Sequence, residues 1–157
     1  MGTGQASTRV HRSRPPLSEA VYTYEFDIPA SAVDENGHVN NVMYVQWMQD
    51  AAVRHYEAMG GTGPTQSLGA TWVVRSHGIE YLRPAYAGER ICVQTWVANL
   101  RRVRSLRRYR FQRVADEALL VRGETDWVFV DAGTGAPRAI PAEVAGLFTL
   151  LPDDGKA

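Results

Sequence analysis

The segment from Asp34 to Tyr44 places a carboxylate, an imidazole and several amides directly before an amphipathic stretch of the chain. The start of a helix has unpaired backbone N–H groups and the positive end of the helix dipole, and both stabilise negative charge on an ester oxygen. Asp34 could activate water or attack directly, while His38 could orient a reactant or transfer a proton. A polar loop that ends in an ordinary asparagine cap is the alternative. The complete run of residue types favours a reactive site.

The pattern Asp-x-Asn-x-His-Val-Asn-Asn-x-x-Tyr, from Asp34 to Tyr44, resembles the active-site motif of hotdog-fold acyl thioesterases. The Asp, Asn and His spacing is similar to that of plant acyl-carrier-protein thioesterases. The likeness to 4-hydroxybenzoyl-CoA thioesterase rests on the Asp, the Gly37 spacing and the Tyr. The resemblance implies an α+β protein, a single hotdog domain in which an antiparallel sheet wraps around one long central helix. It also implies hydrolysis of acyl-CoA thioesters without a separate cofactor or metal, by a homodimer or homotetramer.

The same resemblance implies roles for individual side chains. Asp34 is the expected general base or nucleophile, and Asn36 and His38 are its polar partners, although His38 could instead brace the loop. The backbone N–H of Asn41 is expected to polarise the thioester carbonyl. Glu80 resembles an acidic residue that follows the motif in the plant enzymes at a different spacing. A glutamate in a strand is more often a surface or cross-strand ion-pair partner.

Seven arginines fall between residues 101 and 113, around a predicted hairpin turn. Guanidinium groups pair bidentately with phosphate oxygens, so this cluster could bind the phosphates of coenzyme A. Arg102, Arg104 and Arg107 are the predicted contacts, with the hydroxyl of Ser105 beside them. A solvated strand face is an equally good interpretation of any single arginine. The same cluster would suit an acidic acyl carrier protein, which makes an acyl-carrier-protein thioesterase an alternative.

The length and composition limit which classes of protein and which kinds of site fit this chain. The chain has 157 residues, zero formal net charge and a single cysteine, Cys92. It is long enough for one domain with a real core, and it cannot form an internal disulfide or a cysteine-rich metal site. The single cysteine fits a reducing environment, so we expect a cytoplasmic protein. No apolar run is long enough to span a bilayer, and zero net charge gives no general attraction to membranes or nucleic acids, so we expect neither as a partner. A non-catalytic acyl-binding or nucleic-acid-binding module that uses the arginines stays open as a less favoured alternative.

Composition also divides the chain into a flexible N-terminal tail, a hotdog domain and a C-terminal tail, at residues 1–19, 20–151 and 152–157. Within the domain, alternating apolar residues predict a first strand that Pro29 ends. Apolar residues at three- and four-residue steps predict a helix from Asn40 or Asn41 to Met59, which the glycines at 60–61 stop.

Four further strands are predicted from patterning and turn residues, with a short helix or turn at 141–148. Their short connections indicate an antiparallel meander. The predicted strand ranges are 69–83, 88–100, 105–115 and 118–130.

Overall fold

The computed structural model describes residues 17–152. Most of the predicted N-terminal tail and residues 153–157 of the C-terminal tail therefore lie outside the described residues. The described part begins with a short helix, α1 (Leu17–Ala20), and the side chain of Ala20 is buried. No helix between residues 17 and 152 has both the length and the apolar character needed to cross a membrane.

The central helix, α2 (Asn41–Ala58), confirms the prediction from the apolar spacing. Its 18 residues give a length of about 27 Å. Asn40 caps it, since the Asn40 side-chain oxygen accepts the Val42 N–H at 3.1 Å. The chain leaves α2 through Gly60, whose φ of 77° lies in the left-handed region.

A short helix that patterning did not predict, α3 (Thr62–Ser67), follows directly. The glycine- and proline-rich composition of this segment indicated a helix stop only. Pro64 is compatible with α3 because it lies in the first turn, where a backbone N–H has no partner inside the helix. The predicted C-terminal turn contains a helix as well, α4 (Ala142–Ala145).

One antiparallel sheet of five strands, in the order β1-β3-β4-β5-β2, covers α2. It confirms the predicted hotdog arrangement of a sheet around a long helix. The strands are β1 (Tyr22–Asp27), β2 (Ala70–Tyr81), β3 (Arg90–Arg101), β4 (Arg104–Arg113) and β5 (Leu119–Asp131).

The expectation that all four later strands form a simple meander is wrong for β2. Strands β3, β4 and β5 pair in sequence, but β2 pairs with β5 at one edge, and β1 pairs with β3 at the other. The connection between β2 and β3, residues 82–89, is long enough for this crossing. Its eight residues can span ~27 Å, whereas three strand spacings amount to ~14 Å.

The core lies between α2 and the concave face of the sheet. Met48 is fully buried at the middle of α2, directly over Gly123 of β5. A Cβ atom on Gly123 would lie 2.8 Å from the Met48 sulfur and 3.0 Å from its methyl carbon. Nearer the helix start, the ring of Tyr44 packs edge-on against Phe111 of β4, with centroids 5.2 Å apart. The absence of a side chain at Gly123 thus sets how closely the helix approaches the sheet.

We predict that Gly123→Ala destabilises the protein by about 1–3 kcal/mol, because the added methyl overpacks the core against Met48. Chemical denaturation would measure this change. Gly63→Ala is the matched control, since Gly63 is exposed and, within residues 17–152, no atom outside its own stretch of helix lies within 4 Å of the added carbon. Combining Gly123→Ala with Met48→Ala should cost less than the sum of the single changes. Strict additivity would contradict the proposed contact.

Candidate active site

The loop before α2 is a tight turn organised by one carboxylate. Asp34 Oδ1 accepts the backbone N–H of Asn36 at 2.9 Å and that of His38 at 3.3 Å. The backbone closes the same turn, since the Asp34 N–H donates to the His38 carbonyl at 2.7 Å and the Gly37 N–H to the Asp34 carbonyl at 3.0 Å. Gly37 has a φ of 78°, which glycine adopts without strain. Asp34 is therefore held in a defined orientation by its own loop.

The backbone N–H groups at the start of α2 differ in whether they have a hydrogen-bond acceptor. The Asn40 N–H donates to the Ala32 carbonyl at 2.8 Å, and the Val42 and Met43 N–H groups are capped by Asn40. The N–H of Asn41 has no acceptor within residues 17–152. A backbone donor at the positive end of the helix dipole is thus available to an external oxygen.

A cavity of about 210 Å³ opens beside this donor. It lies between the start of α2 and the end of β2, and its lining includes His38, Asn41, Tyr44 and Tyr81. The Tyr81 hydroxyl donates to the Asn41 carbonyl at 3.0 Å, which ties the strand to the helix start. Burial, with a smaller effect of the nearby Glu89, raises the pKa of Tyr44 to about 12, so its hydroxyl stays protonated.

The structure brings His38 and Asn41 to this cavity, but Asp34 is not among the residues that line it. Asp34 and Asn36 are exposed, and neither lines the cavity. The His38 ring is exposed too, and its edge packs against Tyr86 at a centroid distance of 5.1 Å. In one chain the candidate site is therefore open to solvent.

An ion-pair network supports the far wall of the cavity, and the sequence did not reveal it. Arg113 donates to the Pro84 carbonyl at 2.9 Å, and its Nε lies 2.6 Å from a carboxylate oxygen of Glu89. Glu89 in turn accepts the Tyr86 N–H at 2.7 Å. The segment that contacts His38 is thus anchored to β4. Because Arg113 and Glu89 are far apart in sequence, no local pattern could have paired them.

Glu80 does not join this group in the single chain. It lies opposite Arg122 in the β2–β5 pairing, with the nearest charged atoms 3.6 Å apart. Its neighbour Tyr81 lines the candidate site, and successive residues of a strand point to opposite faces of the sheet. The structure thus shows Glu80 in a cross-strand ion pair, which is the usual role of a glutamate in a strand.

The four predicted coenzyme A contacts do not form one surface. Arg102 lies exposed in the β3–β4 turn, and Arg104 pairs with Asp126 across the sheet. Ser105 and Arg107 are buried on the concave side. Alternation along β4 separates the two pairs, because every second residue faces α2.

Other reactive side chains lie apart from the loop. Burial raises the pKa of the Cys92 thiol, which disfavours a thiolate nucleophile. His77 bonds the Thr125 hydroxyl through Nδ1 at 2.8 Å. Within residues 17–152, no group of three or more potential metal-binding side chains is positioned to hold a metal ion.

Solved structures share this architecture at low sequence identity. A 1,4-dihydroxy-2-naphthoyl-CoA thioesterase from Synechocystis matches with a TM-score of 0.73 and 19% identity over 81% of this chain and 94% of its own. A Staphylococcus aureus protein solved in complex with CoA matches with a TM-score of 0.76 and 16% identity over 82% of both chains. An acyl-ACP thioesterase from Bacteroides thetaiotaomicron matches with a TM-score of 0.76 and 22% identity over 87% of this chain but 56% of its own.

The sequence itself also matches a family model, although no match was found among functionally curated proteins. The matched residues, 28–148, include the Asp34 loop, α2 and every strand after β1. The match spans most of the chain and agrees with both the motif and the sheet around α2. The protein therefore belongs to the thioesterase-like superfamily and has the hotdog fold.

Proposed function

We propose that this protein hydrolyses acyl-CoA thioesters to the free acid and coenzyme A. The observation that supports this most is that one short segment of chain carries both an oriented carboxylate, Asp34, and an unused backbone donor, the N–H of Asn41. A thioester carbonyl needs a nucleophile at carbon and a hydrogen-bond donor at oxygen. The loop and the helix start supply these two groups.

Asp34 can act in two ways, and both leave the same products. As a general base it takes a proton from water, and the resulting hydroxide attacks the thioester carbon. As a nucleophile it forms an acyl anhydride, which water then hydrolyses. In either case the carbonyl oxygen gains negative charge opposite the Asn41 N–H, and the carbon–sulfur bond breaks to release the thiolate of coenzyme A. The thiolate takes up the proton that Asp34 removed from water in the first route, or a proton from the water that hydrolyses the anhydride in the second.

The turn prepares Asp34 for this role. Two backbone N–H groups hold Oδ1, while Oδ2 has no hydrogen-bond donor among the residues that the structure describes. The fixed oxygen sets the orientation of the carboxylate, and the second oxygen is available to water or to the thioester. His38 follows on the cavity side of the loop, where its imidazole orients a bound reactant.

The open site in one chain supports a homodimer. Strand β2 is an edge strand, and its side chains Val73 and Val74 are 43% and 38% exposed. An unpaired edge with exposed valines is a natural surface for pairing with another strand. Antiparallel pairing of two β2 edges about a two-fold axis would extend the sheet and place the partner chain beside the Asp34 loop.

The position of the arginine-rich turn supports the same arrangement. Arg102 follows the last residue of β3, whereas the candidate site lies near the first, Arg90. Twelve residues of strand separate these ends by ~36 Å, too far for both to act on one substrate within a chain. A two-fold axis through the β2 edge reverses the partner's sheet, so the partner's turn lies at the end where this chain has Asp34. Arg102 and Arg104 of one chain would then bind coenzyme A at the site of the other.

We predict that Asp34→Asn lowers kcat for acyl-CoA hydrolysis by ~10²–10⁴-fold, because an amide cannot accept the proton or form the anhydride. The asparagine oxygen can still accept the two backbone N–H groups, so the loop should keep its shape. Steady-state release of free thiol measures the effect. Glu35→Gln is the control in the same loop and should keep normal turnover. Normal turnover by Asp34→Asn would remove the assignment.

We predict a smaller loss for His38→Ala, of about tenfold in kcat/KM, because the imidazole orients the reactant rather than attacking it. The measurement is kcat/KM together with its pH profile. A loss as large as that of Asp34→Asn, with the profile changed, would contradict the orienting role and make His38 a proton-transfer group.

Subunit complementation tests the shared site. Arg102→Gln combined with Arg104→Gln should raise KM for acyl-CoA and leave kcat largely unchanged. When these chains are co-expressed with Asp34→Asn chains, each mixed dimer gains one intact site, so about a quarter of wild-type activity should return at low substrate concentration. Arg54→Gln is the control arginine on the surface of α2. If the mixture shows no gain over the separate variants, the site is not shared in this way.

A further inference from the structure

A second cavity lies beside the C-terminal half of α2, between that helix, α3 and β2. Its volume is about 350 Å³, which is within the range of small-molecule sites of roughly 300–1,000 Å³. Apolar and aromatic side chains form much of its wall, among them Ala52, Tyr56, Trp72, Trp127 and Phe148. Exposed polar residues of α2 and α3 also line it, so it opens to solvent.

Arg107 forms part of this wall from the sheet side and is only 5% exposed. Its Nη1 donates to Nδ1 of His55 at 2.8 Å and to the Thr95 hydroxyl at 3.1 Å. Burial, reinforced by the positive charge of Arg107, lowers the pKa of His55 to about 4, so the imidazole is neutral and accepts this hydrogen bond. For the Nε and Nη2 atoms of Arg107, residues 17–152 provide no acceptor.

The charge of Arg107 is also uncompensated. Burial lowers its pKa to about 10, so it is still a cation at neutral pH. No carboxylate of the described residues lies within 4.0 Å of it, whereas the exposed Arg104 has Asp126 as its partner. The ring of Phe148 is 6.0 Å away, at the limit of a useful cation–π contact. A buried cation is costly unless an anion pairs with it.

Several other polar groups of the wall already have hydrogen-bond partners. The Trp72 indole N–H donates to the Tyr56 hydroxyl at 3.0 Å, and the Tyr56 hydroxyl bonds that of Thr65. The Thr65 hydroxyl donates to the Gly61 carbonyl at 2.8 Å, and the Ser105 hydroxyl to a backbone carbonyl at 3.1 Å. Arg107 is the buried cation of this wall. Its remaining N–H groups form the planar fork that matches a carboxylate.

We propose that this cavity binds a small carboxylic acid in its anionic form, with the carboxylate on Arg107 and the apolar body against Trp72 and Phe148. Two sources have this chemistry: a free acid from solution, and a second carboxylate at the far end of a thioester's acyl group. Binding does not rest on the hydrolysis proposed above, so it can be tested without turnover.

Tryptophan fluorescence provides the test, because Trp72 and Trp127 line the cavity. Octanoate should change the emission in a saturable way, and octanamide, of the same shape without the charge, should bind at least ~30-fold more weakly. Arg107→Met should lower the affinity for octanoate to that for octanamide, and Arg107→Lys should lower it by less. Arg54→Met, on the outer surface of α2, is the control and should bind normally. Equal affinity for octanoate and octanamide, or an unchanged affinity in Arg107→Met, would overturn the proposal.

The wild-type protein gives an independent readout if Arg107→Met fails to fold. Octanoate should raise Tm with increasing concentration, and octanamide should need at least ~30-fold higher concentration for the same shift, since stabilisation of the native state follows the ratio of ligand concentration to Kd. Equal shifts for the two compounds would again contradict the proposal. Octanoate as an inhibitor then separates the two sources. If octanoate competes with acyl-CoA and Arg107→Met abolishes the competition, the cavity binds the acyl group of the substrate. If octanoate binds without competing with acyl-CoA, the cavity binds a free acid.

Discussion

The contact of Met48 with Gly123 is the constraint on which the rest of the structure depends. Because Gly123 has no side chain, α2 lies close enough to the concave face for a fully buried methionine to fill the space. This packing fixes both ends of the helix. Its start places the unused Asn41 N–H beside the Asp34 loop, and its C-terminal half forms one wall of the second cavity. Both sites are consequences of one helix–sheet distance.

Under the proposed mechanism, the structural and the chemical role of Asp34 do not compete. The turn-forming function that a lone aspartate suggests is present, because Oδ1 accepts two backbone N–H groups. Those hydrogen bonds use one oxygen and orient the other. A carboxylate that shapes its own loop loses little further freedom when it reacts, which is how preorganised groups contribute to catalysis. In the proposed homodimer, a partner chain would enclose this loop, which is exposed in one chain.

Arginines of one cluster have very different environments in this fold. Arg104 and Arg107 are three residues apart, yet the first is exposed and ion-paired, and the second is buried with no carboxylate from residues 17–152 beside it. The sequence contained a signal for this difference. Every second residue of a strand lies on the same face of the sheet. Arg107 is in the same series as the buried Tyr109 and Phe111 of β4, and this series faces the core. Counting arginines as a single surface overlooked that alternation.

Local patterns determined much of this protein. The spacing of apolar residues located α2 and the strands, and the Asp34–Tyr44 motif indicated the family, because these signals lie within short stretches of chain. Tertiary structure alone decided that β2 pairs with β5, that Glu80 faces Arg122 rather than the loop, and that Arg107 meets His55. Each of these contacts joins residues 40 or more positions apart. No local propensity specifies which distant partner a strand or side chain meets when the chain folds.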